Sequence, residues 1–419
     1  MSVPTHNLYD FVHQTTKKQF WLFYFYPWGS RDLNNLIDYQ LDLDSLNGIP
    51  VANRFDFEKF NVTVDYTCKP THNLTRWTQP VIFCHDQEPL NFDRYNKDSE
   101  LIANYTIEDS RFNHLSLKKI IPHSIYKKSI LLHSELNSAE LNQFEDTDLF
   151  AGAYWWSHAV IARDWYRYAQ YDSNLTNTGA THKTMFLVYC RDFTGSRQYR
   201  KTFVDQIQQH NLTHNCRLLS NNLTVVDPNL SAEYNSADFM ETAISIVLET
   251  IFDSRIHLTE KTLRPIACGH PFLLANGPGS LKLLQSYGFK TFNPFINEHY
   301  DSVVDNEQRL DCIVTEMTRL NSLPAAEINA VLTQCKEIAD YNKKWFFSDD
   351  FLKIIVDELT TNINSAHHQI IHKYTCNQWL EHRRELRKNK IPVKKDYERS
   401  MLIKLIRQLR NMHGIKACE

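Results

Sequence analysis

Apolar positions fall into short isolated runs in the first part of the chain and into a regular alternation of runs and amphipathic stretches in the second. Phe20 to Tyr26, Val81 to Cys84 and Ser129 to His133 are brief apolar runs bounded by polar or Pro-containing segments. Such runs suit parallel strands buried on both faces. Ser157 to Tyr168 has helical spacing, and 174–179 reads as a linker. Beyond it the pattern predicts strands at Thr184 to Tyr189, Cys216 to Leu219, Ala243 to Leu248, Pro271 to Ala275 and Lys290 to Phe292. Helices are predicted between them at Arg197 to His210, Thr259 to Gly269 and Gly279 to Tyr287. Long helices then run over roughly 306–321, 325–345 and 349–364, with Pro324 opening the second at a favourable position.

Strands and helices alternating at this spacing imply βαβ units and doubly wound parallel sheets. The expected fold class is α/β with two Rossmann-like domains and a helical C-terminal extension. The expected domains are 1–173, 179–345 and 346–419.

Composition narrows the class without naming a function. A length of 419 residues suffices for two full cores, and 42% hydrophobic with 23% charged residues is ordinary for a globular protein. Phe20 to Tyr26 is too short to span a bilayer. Nine cysteines without a C-x-x-C pair fit a reducing, cytoplasmic setting and give no zinc site. No Walker, G-x-S-x-G or G-x-G-x-x-G pattern occurs, and the histidines lack ligand spacing. Asp42-Leu43-Asp44 and Asp146-Thr147-Asp148 match a D-x-D metal motif but lack a strand-end context, so no metal is expected.

The net charge of −3 hides an asymmetry: from His382 onward there are twelve Lys and Arg against four Asp and Glu. The remainder therefore carries about −11, and attraction for anionic surfaces belongs to the tail. Within it, Tyr397 to Ile415 is a basic amphipathic helix by periodicity, with Met401, Leu402, Leu405, Leu409 and Met412 on one side. It fits packing on its own protein, an anionic membrane surface or a nucleic acid.

Three segments carry candidate chemistry. Phe83-Cys84-His85-Asp86-Gln87-Glu88-Pro89 places Glu88, with His85 and Asp86 as competitors, just past a strand as a candidate general base. Tyr189 to Arg200 joins a strand end, a Gly-containing turn and a helix start, with Arg191, Arg197 and Arg200 as phosphate partners. Thr259-Glu260-Lys261 opens a helix, where backbone N–H groups suit a diphosphate; Arg264 shares the face of Lys261. Glu249, after an apolar strand, is placed to reach ligand hydroxyls, and Asn276 to Ser280 suits either a close ligand approach or a tight turn. Trp155, Trp156, Trp165, Tyr166 and Tyr168 suit a stacking platform or core packing.

Ile256 to Leu274, with Thr259-Glu260-Lys261 inside it, resembles the sugar-nucleotide-binding segment of the alpha-1,3-fucosyltransferase family and of phage-encoded glycosyltransferase-like proteins. Gln87-Glu88-Pro89 resembles that family's Glu-Ser-Pro loop, without the serine, and Arg191 and Arg197 match a strand–Arg–turn–Arg segment. The resemblance implies a GT-B architecture with facing domains, 1–173 on the acceptor side and 179–345 holding the nucleotide sugar. It implies an inverting, metal-independent glycosyltransferase without cofactor, in the cytoplasm of a host if phage-encoded. Glu88 would be the base, Glu260 would contact the ribose and Lys261 the diphosphate. The acceptor hydroxyl stays open among a glycan, a lipid-linked glycan and modified DNA. A non-catalytic α/β protein that binds glycans or partners is the alternative.

Overall fold

The computed structural model describes residues 21–24, 81–84, 89–90, 128–146, 150–176, 182–219 and 233–371. Glu88, His85, Asp86, Asp42, Asp44, Asp148 and the basic tail lie outside the described residues. By internal contact the chain divides into two units, and each carries one parallel sheet. The protein is therefore mixed α/β.

One unit contains β1 (Trp21–Tyr24), β2 (Val81–Cys84), β3 (Ser129–His133), helix α1 (Ala139–Asp146) and β4 (Phe150–Tyr154). Its strands pair in parallel in the order β1-β2-β3-β4, with Leu131 opposite Phe83 on one side and Gly152 on the other. Ile130, Leu131, Leu132 and Phe150 are among its buried core residues. β4 is the strand that periodicity misses. Its Phe-Ala-Gly-Ala-Tyr sequence has weak strand propensity, and the ladder with β3 holds it in place.

The second unit takes in Ser134–Ser138 and Trp156–Asp357, so it extends N-terminally of the expected linker. It holds α2 (Ser157–Trp165), β5 (Thr184–Tyr189), α3 (Tyr199–Gln209), β6 (Cys216–Leu219), α4 (Ser236–Met240), β7 (Thr242–Leu248), α5 (Glu260–Cys268), β8 (Phe272–Ala275) and α6 (Ser280–Ser286). Helices α7 (Asn306–Ser322) and α8 (Ala325–Phe346) follow, and α9 (Asp349–Ile371) begins in this unit and ends in the other. No helix among the described residues is long and apolar enough to cross a membrane.

The strand order is β6-β5-β7-β8, all parallel. β7, Thr-Ala-Ile-Ser-Ile-Val-Leu, is buried at every position, as a strand covered on both faces requires. The chain leaves β5 toward β6 on one side and returns to β7 on the other. That reversal makes the carboxyl ends of β5 and β7 the topological switch point, the place where open α/β sheets bind ligands.

Two details differ from expectation. Lys290 to Phe292 is not a strand: the Asn342 amide side chain accepts from Lys290 N at 2.8 Å and donates to Lys290 O at 2.8 Å, while Phe292 N donates to Glu298 at 2.7 Å. Side chains take the backbone groups a neighbouring strand would use. The helix expected from Arg197 starts at Tyr199, because Gly195, at φ +55°, turns the chain through a 3-10 turn that ends at Arg197.

Candidate functional site at the ends of β5 and β7

Helix α5 sets the geometry. Thr259 is its N-cap, with an extended backbone and a hydroxyl that accepts from Lys261 N at 3.3 Å. Gly269 ends it at φ +66°, where its amide reaches Ile266 O and His270 N reaches Pro265 O. Between them one face carries Leu263, Ile266 and Ala267 into the core.

Beneath the N-terminus lies Glu249, fully buried at the end of β7. Its carboxylate accepts from Thr259 N at 2.9 Å, Thr259 Oγ1 at 2.6 Å, Thr262 N at 3.3 Å, Thr262 Oγ1 at 2.6 Å and Thr250 N at 3.3 Å. Two expectations are corrected by this. Glu249 does not reach outward to ligand hydroxyls, because all its capacity is spent on its own helix. Nor are the amides of Thr259, Lys261 and Thr262 open to a diphosphate: the positive end of the helix dipole already holds a carboxylate and a threonine hydroxyl.

What remains open is side-chain charge. Lys261 has a side chain 29% exposed, and its Nζ lies 3.2 Å from Thr250 Oγ1, 3.3 Å from Thr259 Oγ1 and 2.9 Å from Glu260 Oε1. Glu260 is buried, and burial alone would raise its pKa. Lys261, His158 and Arg264 override that and hold it at about 2. The carboxylate is thus ionised at any ordinary pH.

The loop after β5 is stitched to this place. Ser196 Oγ donates to Thr250 O at 2.9 Å, and Tyr199 OH donates to Glu249 O at 2.6 Å while its ring stacks on Phe252 at 4.4 Å. Arg200 is buried and spends its guanidinium on Leu248 O, Glu249 O and Asp192 O at 2.8, 3.0 and 3.2 Å. It is a staple between two strand ends, not a phosphate partner. Arg197 pairs with Asp192 at 3.3 Å, and Arg191 is half-buried at the start of the loop. The structure therefore brings Arg191, Arg197, Thr259, Glu260 and Lys261 to one end of the sheet.

Arg264 goes elsewhere. It is buried, its Nε donates to Tyr166 OH at 3.2 Å, and its guanidinium covers the Tyr189 ring at 5.0 Å. Burial opposes its charge, but Tyr166, Tyr189 and Glu260 more than compensate and hold it cationic. Asn276 to Ser280 is a tight turn: Asn276 Nδ2 donates to His257 O at 3.2 Å, and Asp301 accepts from Leu281 N at 2.9 Å at the start of α6. The aromatics pack inward. Trp156 sits within 4.6 Å of the Tyr287 ring and donates to Leu258 O at 2.9 Å, whereas Tyr168 is 65% exposed.

Sequence reasoning overlooks His158 and His257, whose Nε2 atoms lie 3.1 Å apart and buried beside Glu260. They are 99 residues apart in the chain, so no spacing rule joins them. Compared with known proteins, the chain matches no family model, no curated protein and no solved structure.

Proposed function

We propose that this chain is an inverting, metal-independent glycosyltransferase that moves a sugar from a nucleoside-diphosphate donor to an acceptor hydroxyl. The supporting observation is that the Lys261 ammonium and the loop after β5 that carries Arg191 and Arg197 are both tied to Thr250 at the switch point between β5 and β7. Donor cleavage puts growing negative charge on the diphosphate, and Lys261, Arg191 and Arg197 supply the opposing charge in this reading. Glu260, ionised and held beside Lys261, serves as acceptor for ribose hydroxyls. Glu88 takes the acceptor proton as the sugar–phosphate bond breaks; that role rests on sequence alone. Two Rossmann-like domains facing each other in the GT-B manner belong to the same proposal.

The test is a panel of GDP-, UDP-, CMP- and dTDP-sugars, offered to purified protein with and without a metal chelator. Thermal shift and release of free nucleotide are recorded. One diphosphate donor that stabilises the fold and is slowly hydrolysed with chelator present supports the reading. Lys261→Met should abolish the shift, and Glu88→Gln should keep it while losing turnover. Silence across the panel overturns the proposal in favour of a non-catalytic binding protein.

A further inference from the structure

A line of buried polar side chains, none of which the proposed sugar transfer requires except its last two, leads to the Lys261 ammonium. Ser134 Oγ lies 3.2 Å from His257 Nε2, which lies 3.1 Å from His158 Nε2. His158 Nδ1 faces Glu260 Oε2 at 4.0 Å, and Glu260 Oε1 contacts Lys261 Nζ at 2.9 Å. Both imidazoles are 1% exposed, and their rings meet edge to face at 4.9 Å.

Two N–H groups cannot face each other at 3.1 Å, so the contact between the imidazoles holds a single proton. A further proton on the pair then belongs on an outer nitrogen, His257 Nδ1 or His158 Nδ1, the latter aimed at Glu260. Among the described residues, His158 faces Glu260 on α5 and His257 in the segment before it, and Lys261, Arg264 and the Tyr166 hydroxyl surround Glu260. Glu260 favours an imidazolium there, while Lys261 and Arg264 oppose it.

An anion bound at Lys261 changes that balance twice. It neutralises a cation that opposes the imidazolium, and it draws the ammonium away from a buried carboxylate. Glu260 then faces a second negative charge without its main partner, an arrangement that burial makes costly. A proton added to the imidazole pair restores a cation on its side.

We propose that His158 is a positioning residue for the anion site at Lys261, and that the coupled His158–His257 pair takes up one proton from solvent when a sugar nucleotide binds. The inference rests on the donor-site reading above. It makes donor binding tighter as pH falls through the histidine range, with a limit of about tenfold per pH unit for one proton.

Calorimetry of the panel's sugar nucleotides on the full chain, in buffers of different ionisation enthalpy, tests it. Their phosphate and diphosphate diesters keep a constant charge across the histidine range, so any proton exchanged belongs to the protein. Uptake of up to one proton, with affinity rising on acidification, is expected for the native protein, and His158→Gln should remove both while leaving Lys261-dependent binding. Binding that needs Lys261 but exchanges no proton overturns this inference and leaves the donor site standing, as does uptake that persists in the variant. No binding by any member overturns the donor site and this inference together. Should the variant fail to fold, proton uptake by the native chain decides the matter.

Discussion

Glu249 and Thr259 are joined twice: the threonine amide donates to one carboxylate oxygen at 2.9 Å and its hydroxyl to the other at 2.6 Å. Ten residues apart, they tie the end of the central strand to the start of the helix that carries Lys261. Glu249→Gln keeps the shape but turns an amide donor toward groups that themselves donate. Leaving buried donors unpaired costs about 1–3 kcal/mol each, so a loss of about 3 kcal/mol is expected in denaturant unfolding. Any loss of ligand affinity in this variant should follow that loss of stability. A stable variant with selectively impaired binding would instead return Glu249 to the ligand.

Glu260 makes stability depend on acid. Its pKa is about 2 in the folded protein against an ordinary 4.5, despite its burial, because Lys261, His158 and Arg264 outweigh desolvation. A depressed carboxylate contributes stability that is complete above the unfolded value and disappears as pH falls through the folded one. The loss therefore runs from about pH 4.5 to about pH 2 and amounts to about 3 kcal/mol. Glu260→Gln should flatten that part of the stability profile, whatever its effect on binding.

His270 shifts the other way. Burial, the dominant cause, lowers its pKa to about 4 although Thr242 O accepts from its ring at 2.9 Å. Its other nitrogen, Nδ1, lies 2.9 Å from Ser245 Oγ. The unfolded chain takes up a proton below about pH 6.5 while the folded one does not, so stability declines from there to about pH 4, by about 3 kcal/mol. His270→Gln should lower stability at neutral pH yet remove this decline. Urea midpoints measured across that range separate the His270 step from the Glu260 step below it.

Much of the second unit is legible in sequence, because β7 is an unbroken apolar run and α5 is bracketed by a threonine cap and a glycine stop. What local pattern cannot carry is the destination of charged side chains. Arg197, Arg200 and Arg264 read alike as phosphate partners, yet one pairs with Asp192, one staples carbonyls and one is covered by tyrosines. Those outcomes depend on residues 5 to 98 positions away. The same limit hides the His158–His257 contact and the strand β4, both made by partners distant in the chain.

Gly277 is required by a close backbone approach. A Cβ there would stand 1.9 Å from Arg255 O and 2.7 Å from its carbonyl carbon, and backbone on both sides cannot yield cheaply. Asn276, just before it, accepts from Gly277 N at 2.8 Å and is itself buried. Gly277→Ala should therefore cost about 3 kcal/mol through overpacking and backbone displacement. Thermal unfolding checks this; a midpoint within a degree or two of the native protein would show that the turn can open.

Asp192 competes for a cation that the proposed donor needs. Arg197 lies 3.3 Å from it, and Asp192 Oδ1 also accepts from Thr194 N at 2.9 Å and Thr194 Oγ1 at 2.8 Å. Partial burial would raise the pKa of this carboxyl, but the Thr194 hydrogen bonds, Arg197 and Arg200 together lower it. Asp192→Asn keeps an oxygen for Thr194 and removes the charge that holds Arg197. Because the pair is solvent-accessible, stability should change by less than about 1 kcal/mol. Affinity for a nucleoside-diphosphate sugar should rise several-fold, most clearly at low ionic strength, where screening is weakest. Titration of the native protein and the variant at two salt concentrations measures this, and an affinity that falls would place Asp192 among the groups that hold the ligand.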